Sequence, residues 1–165
     1  MLVSKTLPCG PDNPFARGRH EDSRYVESMM EHRFLSDVIQ YCWFRQNRRV
    51  EVMRAEVDGG GYDLVLEAGR RIRHVQLKSR WQKGRRRSLQ INSRLRDHRK
   101  PCVVWIFWQV DPMTCEVDLQ YRYSEPSKWP VRSEGETTFT LKRDAFLPSE
   151  DGRYLDIASL IGRLL

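Results

Sequence analysis

Two short extended segments joined by a tight turn constrain this chain more than any other feature. Residues 64–68 and 72–78 carry β-branched and apolar side chains at the spacing that is typical of β-strands. The dipeptide Gly69-Arg70 lies between them, and glycine supplies the positive φ that a two-residue hairpin loop needs. The sequence therefore predicts a β-hairpin in which Ala68 pairs with Arg71.

The register of this hairpin brings three polar side chains to one patch. It places Asp63 opposite Gln76, and directly opposed residues share a face of the sheet with their Cβ atoms about 5 Å apart. Lys78 lies two residues beyond Gln76 and therefore points the same way. A carboxylate, an amide oxygen and an ammonium gathered in this way suit a hard divalent cation with a water or phosphate oxygen beside it.

Positive charge is concentrated in one segment beside this patch. The chain has a net charge of +7, yet residues 70–100 hold 13 Lys and Arg against one acid, Asp97, so the rest of the chain is net negative. A concentrated basic field favours a polyanion as partner, most simply nucleic acid, whereas the alternative is the solvated surface of a basic protein. The predicted contact residues follow Lys78 directly and are Arg80, Trp81, Lys83, Arg85, Arg86 and Arg87.

A long amphipathic helix is predicted from about Arg24 to Arg48, because apolar residues recur there with the 3.6-residue period. Glu31 departs from the pattern, since the residues three, four, seven and eight positions later are all apolar. Its carboxylate therefore lies on or beside the core-facing stripe and needs a cation or a hydrogen-bond donor. Three alternatives are open for Glu31, a ligand role at the cation site, an ion pair with an arginine and an edge position with access to solvent.

The remaining segments indicate an α/β fold with a central mixed β-sheet flanked by helices. Residues 79–87 are predicted to form a basic turn or loop, and residues 88–99 fit either a short strand with a helical turn or one helix. The other predicted elements are a strand over 48–56, a strand buried on both faces over 103–110, its hairpin partner over 116–123, an edge strand over 138–142 and a docking helix over 155–165.

Length and composition predict one domain without a membrane partner. Residues 1–22 are rich in proline and glycine and predict an extended N-terminal arm, which leaves residues 23–165 for a single domain. The four cysteines contain no C-x-x-C pair, which favours buried thiols in a reducing, cytoplasmic compartment over a zinc site or disulfides. The longest apolar run, residues 102–108, is too short to cross a bilayer.

The order of these features resembles the PD-(D/E)XK nuclease superfamily, which has the restriction-endonuclease-like fold. The resemblance covers about residues 24–110 and rests on Glu31, Asp63, Gln76 and Lys78. It implies an αβββαβ core and a nuclease-like domain over residues 23–165. Two positions depart from the pattern: Tyr62 replaces the proline of the motif, and Gln76 replaces the usual Asp or Glu and so removes one negative charge.

The resemblance also implies a role for each matched residue around a Mg²⁺ or Mn²⁺ ion. Asp63 would be the central ligand, Gln76 would contribute its amide oxygen and Leu77 its backbone carbonyl. Lys78 would hold or help activate the attacking water, and Glu31 would complete the ligand shell, directly or through water.

Three functions are consistent with the sequence. The first is a metal-dependent endonuclease that hydrolyses phosphodiester bonds in nucleic acid, with DNA favoured over RNA. The second is a non-catalytic nucleic-acid-binding module on the same fold. The third is an assembly domain in which the tryptophan-rich strand and the C-terminal helix form a homodimer, and a homodimer is also compatible with the nuclease.

Overall fold

A computed structural model of the chain describes residues 23–57, 59–84, 87–148 and 153–165. The predicted N-terminal arm, residues 1–22, lies outside the described residues, as do Arg85 and Arg86. The helices and strands in chain order are α1 (Ser23–Gln46), β1 (Glu51–Arg54), β2 (Leu64–Ala68), β3 (Arg71–Trp81), β4 (Ser88–Asn92), β5 (Pro101–Val110), β6 (Val117–Ser124), β7 (Thr138–Lys142) and α2 (Ile157–Leu164).

The central sheet has five strands in the order β1-β2-β3-β5-β6. Strands β3 and β5 are parallel, whereas the other three neighbouring pairs are antiparallel, so the predicted mixed sheet is confirmed. Strand β5 is buried from Pro101 to Trp108, because it lies between two strands and both of its faces are covered. Continuous burial of this kind is what its unbroken β-branched and aromatic run predicts.

The hairpin of β2 and β3 has the predicted register. Ala68 pairs with Arg71 across a turn in which Gly69 has a φ of 63°. The paired ladder ends at Leu64 and Val75, while β3 continues to Trp81 alongside β5. The edge of β3 that faces β2 is therefore left without a strand partner beyond Val75 in the described sheet.

The two faces of the central sheet are covered differently. Helices α1 and α2 pack on one face, in a core that includes Phe34, Val104 and Leu160. The opposite face packs against a two-stranded sheet of β4 and β7, in a second core that includes Trp105 and Phe139. Both helices therefore flank the same face, and the small sheet replaces a helical layer on the other.

One local feature differs from the prediction, and another selects one of two predicted alternatives. Residues 79–81 belong to β3 and not to a loop, because their backbone pairs with β5 as far as Trp81 opposite Trp108. Residues 88–99 form a strand followed by a helical turn, the first of the two predicted alternatives. The second helix of the αβββαβ order is thus a 3-10 helix of five residues, Ser93–Asp97.

The prediction of buried thiols is correct for two cysteines and wrong for a third. Cys42 and Cys102 are free and buried, and burial raises the pKa of the Cys102 thiol to about 12. Cys115 is disulfide-bonded, so cysteine usage does not indicate a reducing compartment. No helix among the described residues is long and apolar enough to span a membrane.

Candidate functional site

A cavity of about 440 Å³ lies at the free edge of β3, between that strand and the first half of α1. Four of the residues singled out in the sequence, Glu31, Asp63, Leu77 and Lys78, line this cavity, which we call the acidic cavity. The remaining lining residues are Arg24, Glu27, Ser28, Ser79 and Ile106. The structure therefore brings Asp63 and Lys78 to one opening, together with a carboxylate from the helix.

The backbone of the sheet holds Asp63 in place. Its amide donates to the carbonyl of Val75 over 2.9 Å, and its own carbonyl accepts from the amide of Ala55 over 3.1 Å. Its carboxylate Oδ2 accepts from the amide of Leu77 over 2.6 Å, at the short end for a charge-assisted hydrogen bond. Because these contacts reach β3 on both sides of Gln76, the carboxylate has a fixed direction at the point where β2 leaves the ladder.

Gln76 is buried beside Asp63 but does not line the acidic cavity. Its side chain is 5% exposed, and its residue pairs with Val103 of β5. The amide oxygen Oε1 has no hydrogen-bond donor among the described residues. A buried acceptor without a partner costs about 1–3 kcal/mol, and a bound cation would offset this cost.

Lys78 and Glu31 differ in how their charges are compensated. Lys78 is half-buried and makes no hydrogen bond or ion pair with a described residue. Glu31 forms an ion pair with Arg54 of β1, with Arg54 Nη2 3.1 Å from Glu31 Oε1. The predicted arginine partner of Glu31 is therefore present in the structure.

Arg54 was not among the predicted site residues. It lines a smaller cavity of about 180 Å³ that also contains Glu31, Tyr62 and Asp63, so this cavity shares two carboxylates with the acidic cavity. A signal for Arg54 does exist in the sequence: it alternates with Val50 and Val52, which pack against the core. A cation at a core-facing strand position matches the unusual position of Glu31 on its helix.

The glycine-rich loop before Asp63 packs against its own chain. A Cβ on Gly60 would fall 2.5 Å from the ring of Tyr62, and Gly61 has a φ of 73°. His98 Nε2 donates to the Gly60 carbonyl over 3.0 Å, and the Tyr62 ring meets the ring of His98 edge-on, with centroids 4.7 Å apart. These contacts fix the approach of the chain to Asp63.

The basic residues after Lys78 occupy different environments. The Arg80 guanidinium lies over the rings of Trp105 and Phe107, at 5.5 and 5.2 Å from their centroids, and donates to the carbonyl of Gly84. The ring of Trp81 stacks on Trp108 with centroids 6.0 Å apart, so one of its faces is covered. Lys83 and Arg87 are exposed. Within this run the exposed charges, and not Arg80, are therefore placed to meet an external polyanion.

No group of three or more His, Cys, Asp or Glu side chains in the described parts of the chain has the arrangement of a metal site. The donors near the acidic cavity are instead three carboxylates, Glu27, Glu31 and Asp63, of which Glu27 is exposed, and the amide oxygen of Gln76. Mg²⁺ is usually bound by only one or two carboxylates and keeps several waters or substrate phosphate oxygens. This donor set therefore fits Mg²⁺ or Mn²⁺ but not a metal held by protein ligands alone.

Comparisons with known proteins find similarity among solved structures alone. No protein-family model matches the chain, and no curated protein matches it. Among solved structures, the chain is similar to Hjc, a Holliday junction resolvase from the archaeal hyperthermophile Archaeoglobus fulgidus. The two are 14% identical with a TM-score of 0.43, and the match covers 68% of this chain and 89% of that one. At this level of similarity, we base the function of the chain on its own geometry.

Proposed function

We propose that this chain is a metal-dependent endonuclease that hydrolyses phosphodiester bonds in nucleic acid, with DNA favoured over RNA. One observation carries the proposal, the gathering of Glu31, Asp63 and Lys78 around a single open cavity. Phosphodiester hydrolysis needs a nucleophilic water and positive charge at the scissile phosphate, together with stabilisation of the leaving oxygen. The carboxylates of Glu31 and Asp63 and the ammonium of Lys78 are groups of the kind that this reaction uses.

The residues that would hold Mg²⁺ or Mn²⁺ are Asp63, Gln76, the backbone carbonyl of Leu77 and Glu31. When bound, the ion supplies positive charge for the phosphate and lowers the pKa of a water. The Oε1 atom of Gln76, which accepts no hydrogen bond from a described residue, supports this assignment, since a cation could bind to it. Because glutamine carries no charge, metal affinity should be weaker than at a site with Asp or Glu at this position.

Side chains of the protein would supply the other roles in catalysis. Lys78, which has no partner among the described residues, is available to hold the attacking water and to offset negative charge that develops on the phosphate. The sheet fixes the Asp63 carboxylate, so its direction does not have to be set when substrate binds. Arg54 keeps the Glu31 carboxylate at the edge of the cavity, and a divalent cation would compete with Arg54 for it.

The test is cleavage of supercoiled plasmid DNA by the purified protein in the presence of Mg²⁺ or Mn²⁺. We expect the parent to nick or cut the plasmid, and we expect Asp63→Asn and Lys78→Ala to abolish cutting. Asp63→Asn keeps an oxygen for the Leu77 amide, so the sheet contact survives while the charge is lost. A labelled RNA of the same sequence tests the preference for DNA.

Controls for this test are two exposed residues away from the cavity, Asp144 and Lys142. Asp144→Ala and Lys142→Ala remove the same charges and should cut as the parent does. Circular dichroism establishes that each variant is folded. Equal cutting by the parent and both cavity variants would show that the acidic cavity is not an active site.

A second candidate is a nucleic-acid-binding module without catalytic activity on the same fold. Two observations favour it: Glu31 is already paired with Arg54, and position 76 carries no charge. This candidate predicts salt-sensitive binding that EDTA does not change, with no cleavage under any metal. The plasmid assay separates the two functions directly.

A further inference from the structure

A second cavity, at the opposite end of β3 from the acidic cavity, is lined mainly by cations. It has a volume of about 270 Å³, and six of its nine lining residues are Lys or Arg while none is acidic. We call it the basic cavity. Its cations come from the turn between β2 and β3, the start of β3, the turn before β5 and the end of α2, and they are Arg70, Arg71, Arg73, Arg99, Lys100 and Arg163.

Two of these arginines have a structural role within the chain. Arg71 donates to the backbone oxygen of Leu165, and Arg73 donates to those of Leu164 and Arg163 over 3.0 and 2.9 Å. Carbonyl oxygens at the end of a helix carry partial negative charge and attract cations. Capping of α2 therefore explains why Arg71 and Arg73 are present.

Capping does not explain the other four cations. Arg70, Arg99, Lys100 and Arg163 are exposed, and their side chains make no hydrogen bond or ion pair with any residue that the structure describes. Like charges gathered around one cavity repel one another, and a bound anion would remove this repulsion. Arg163 lies far from the other three in the sequence, so the fold and not a basic sequence run brings it there.

We propose that the basic cavity binds a phosphate group of a nucleic-acid backbone, as a contact separate from the acidic cavity. Guanidinium groups match phosphate oxygens with paired hydrogen bonds, and the opening is surrounded by four cations that have no partner among the described residues. The choice of nucleic acid as ligand rests on the proposed function. The binding itself does not require cleavage.

The separation of the two cavities is within the length of a short nucleic-acid duplex. Lys78 lies five residues from Arg73 and seven from Arg71 along β3, which corresponds to about 17–23 Å at 3.3 Å per residue. A duplex rises about 3.4 Å per base pair along its axis, so this distance corresponds to about five to seven base pairs. One duplex lying along β3 would therefore be long enough to reach both cavities.

The test is binding of a fluorescent DNA duplex in EDTA, measured by anisotropy over a series of salt concentrations. We expect Arg163→Ala to weaken binding severalfold and to lower the slope of log K against log salt by about 1, as the loss of one phosphate contact predicts. Arg45→Ala is the matched control, because Arg45 is also an exposed arginine in the last turn of a helix but lies outside the basic cavity. It should bind as the parent does.

Three outcomes would overturn this inference. The first is equal binding by Arg163→Ala and Arg45→Ala. The second is displacement of the duplex by polyglutamate as readily as by an unlabelled duplex of equal charge, which would indicate a general cationic surface. The third is binding to anionic lipid vesicles that Arg163→Ala weakens while leaving duplex binding intact.

The same assay separates this inference from the proposed function. Asp63→Asn should bind the duplex at least as tightly as the parent does, whereas Arg163→Ala should bind it severalfold more weakly, because the two residues line different cavities. If Asp63→Asn and Lys78→Ala still cut DNA while Arg163→Ala binds poorly, the nuclease assignment of the acidic cavity fails and the basic cavity stands. If instead Asp63→Asn and Lys78→Ala lose cutting while Arg163→Ala binds as the parent does, only the proposal for the basic cavity fails.

Discussion

Gln76 lies where the packed sheet meets the acidic cavity, and its chemistry determines what that cavity can hold. Its side chain is almost fully buried, its Oε1 has no donor among the described residues, and Asp63 makes contacts with the strand residues on either side of it. A glutamine is neutral, so the sheet tolerates it there without a metal. A carboxylate at the same position would need a cation to be stable.

Replacing Gln76 with Glu tests this dependence. We expect Gln76→Glu to lower the free energy of unfolding in EDTA by on the order of 2 kcal/mol, because a buried charge beside Asp63 is both desolvated and repelled. Mn²⁺ should then raise the melting temperature of the variant more than that of the parent, since the metal binds only the folded protein. Thermal unfolding with and without Mn²⁺ measures both effects.

The control for this prediction is Gln90→Glu, which places the same charge on an exposed side chain of β4. It should unfold as the parent does in both buffers. Equal stabilisation of the parent and Gln76→Glu by Mn²⁺ would mean that residue 76 is not near the cation.

Individual residues also show which parts of the candidate site the sequence predicts and which it does not. The two-residue period of strands and the Gly69 turn predict that Asp63 and Lys78 approach each other, because both constraints are local. The pairing of Glu31 with Arg54 joins a helix to an edge strand, and its geometry depends on how α1 packs on the sheet. Alternation places Arg54 on the core side, but only the packed fold selects its partner.

At the scale of elements, α2 depends on a cap at its first turn. The carboxylate of Asp156 accepts from the Ser159 amide over 2.8 Å, and this hydrogen bond holds the pKa of Asp156 below its usual range. The folded pKa is lower than the unfolded one, so the stabilisation is complete above the usual carboxyl pKa of about 4 and is lost as the pH falls through the folded pKa. The free energy of unfolding should therefore decrease as the pH is lowered through the folded pKa of Asp156.

We expect Asp156→Ala to cost about 1 kcal/mol at neutral pH, as the loss of a helix cap does. Asp156→Asn should keep most of the stability, because asparagine also caps helices, and its contribution should not change between pH 5 and pH 2, a range of about three units around the usual carboxyl pKa. Urea unfolding of the three proteins across this range measures the difference. Identical acid dependence of the parent and Asp156→Asn would exclude the cap as its source.

Elements were predictable where local sequence determines them and not where a distant partner does. The burial of β5 follows from its own composition. The length of β3 does not, since its last three residues, Ser79–Trp81, are in a strand only because β5 runs beside them. Likewise, the sheet of β4 and β7 pairs Ile91 with Phe139, and no local pattern connects segments so far apart in the chain.

At the scale of the whole molecule, the positions of the two cavities suggest that a bound polyanion would lie along β3. The sheet carries the acidic cavity beside the C-terminal half of β3 and the basic cavity at the start of the same strand. The acidic cavity would hold the cation and the scissile phosphate, and the basic cavity would hold the backbone several nucleotides away. Net charge alone predicts only that a polyanion binds. The fold places the two proposed sites, one for the cation and one for the backbone, at different positions along β3.

The central claim is that Asp63 and Gln76 hold a divalent cation beside Lys78, and diffraction from crystals soaked in Mn²⁺ tests it most directly. We predict an anomalous difference peak about 2.0–2.6 Å from the oxygens of Asp63 and Gln76, and we predict its loss in crystals of Asp63→Asn. A saturating soak that leaves these oxygens without a peak, or a peak of equal height in Asp63→Asn, would contradict the account.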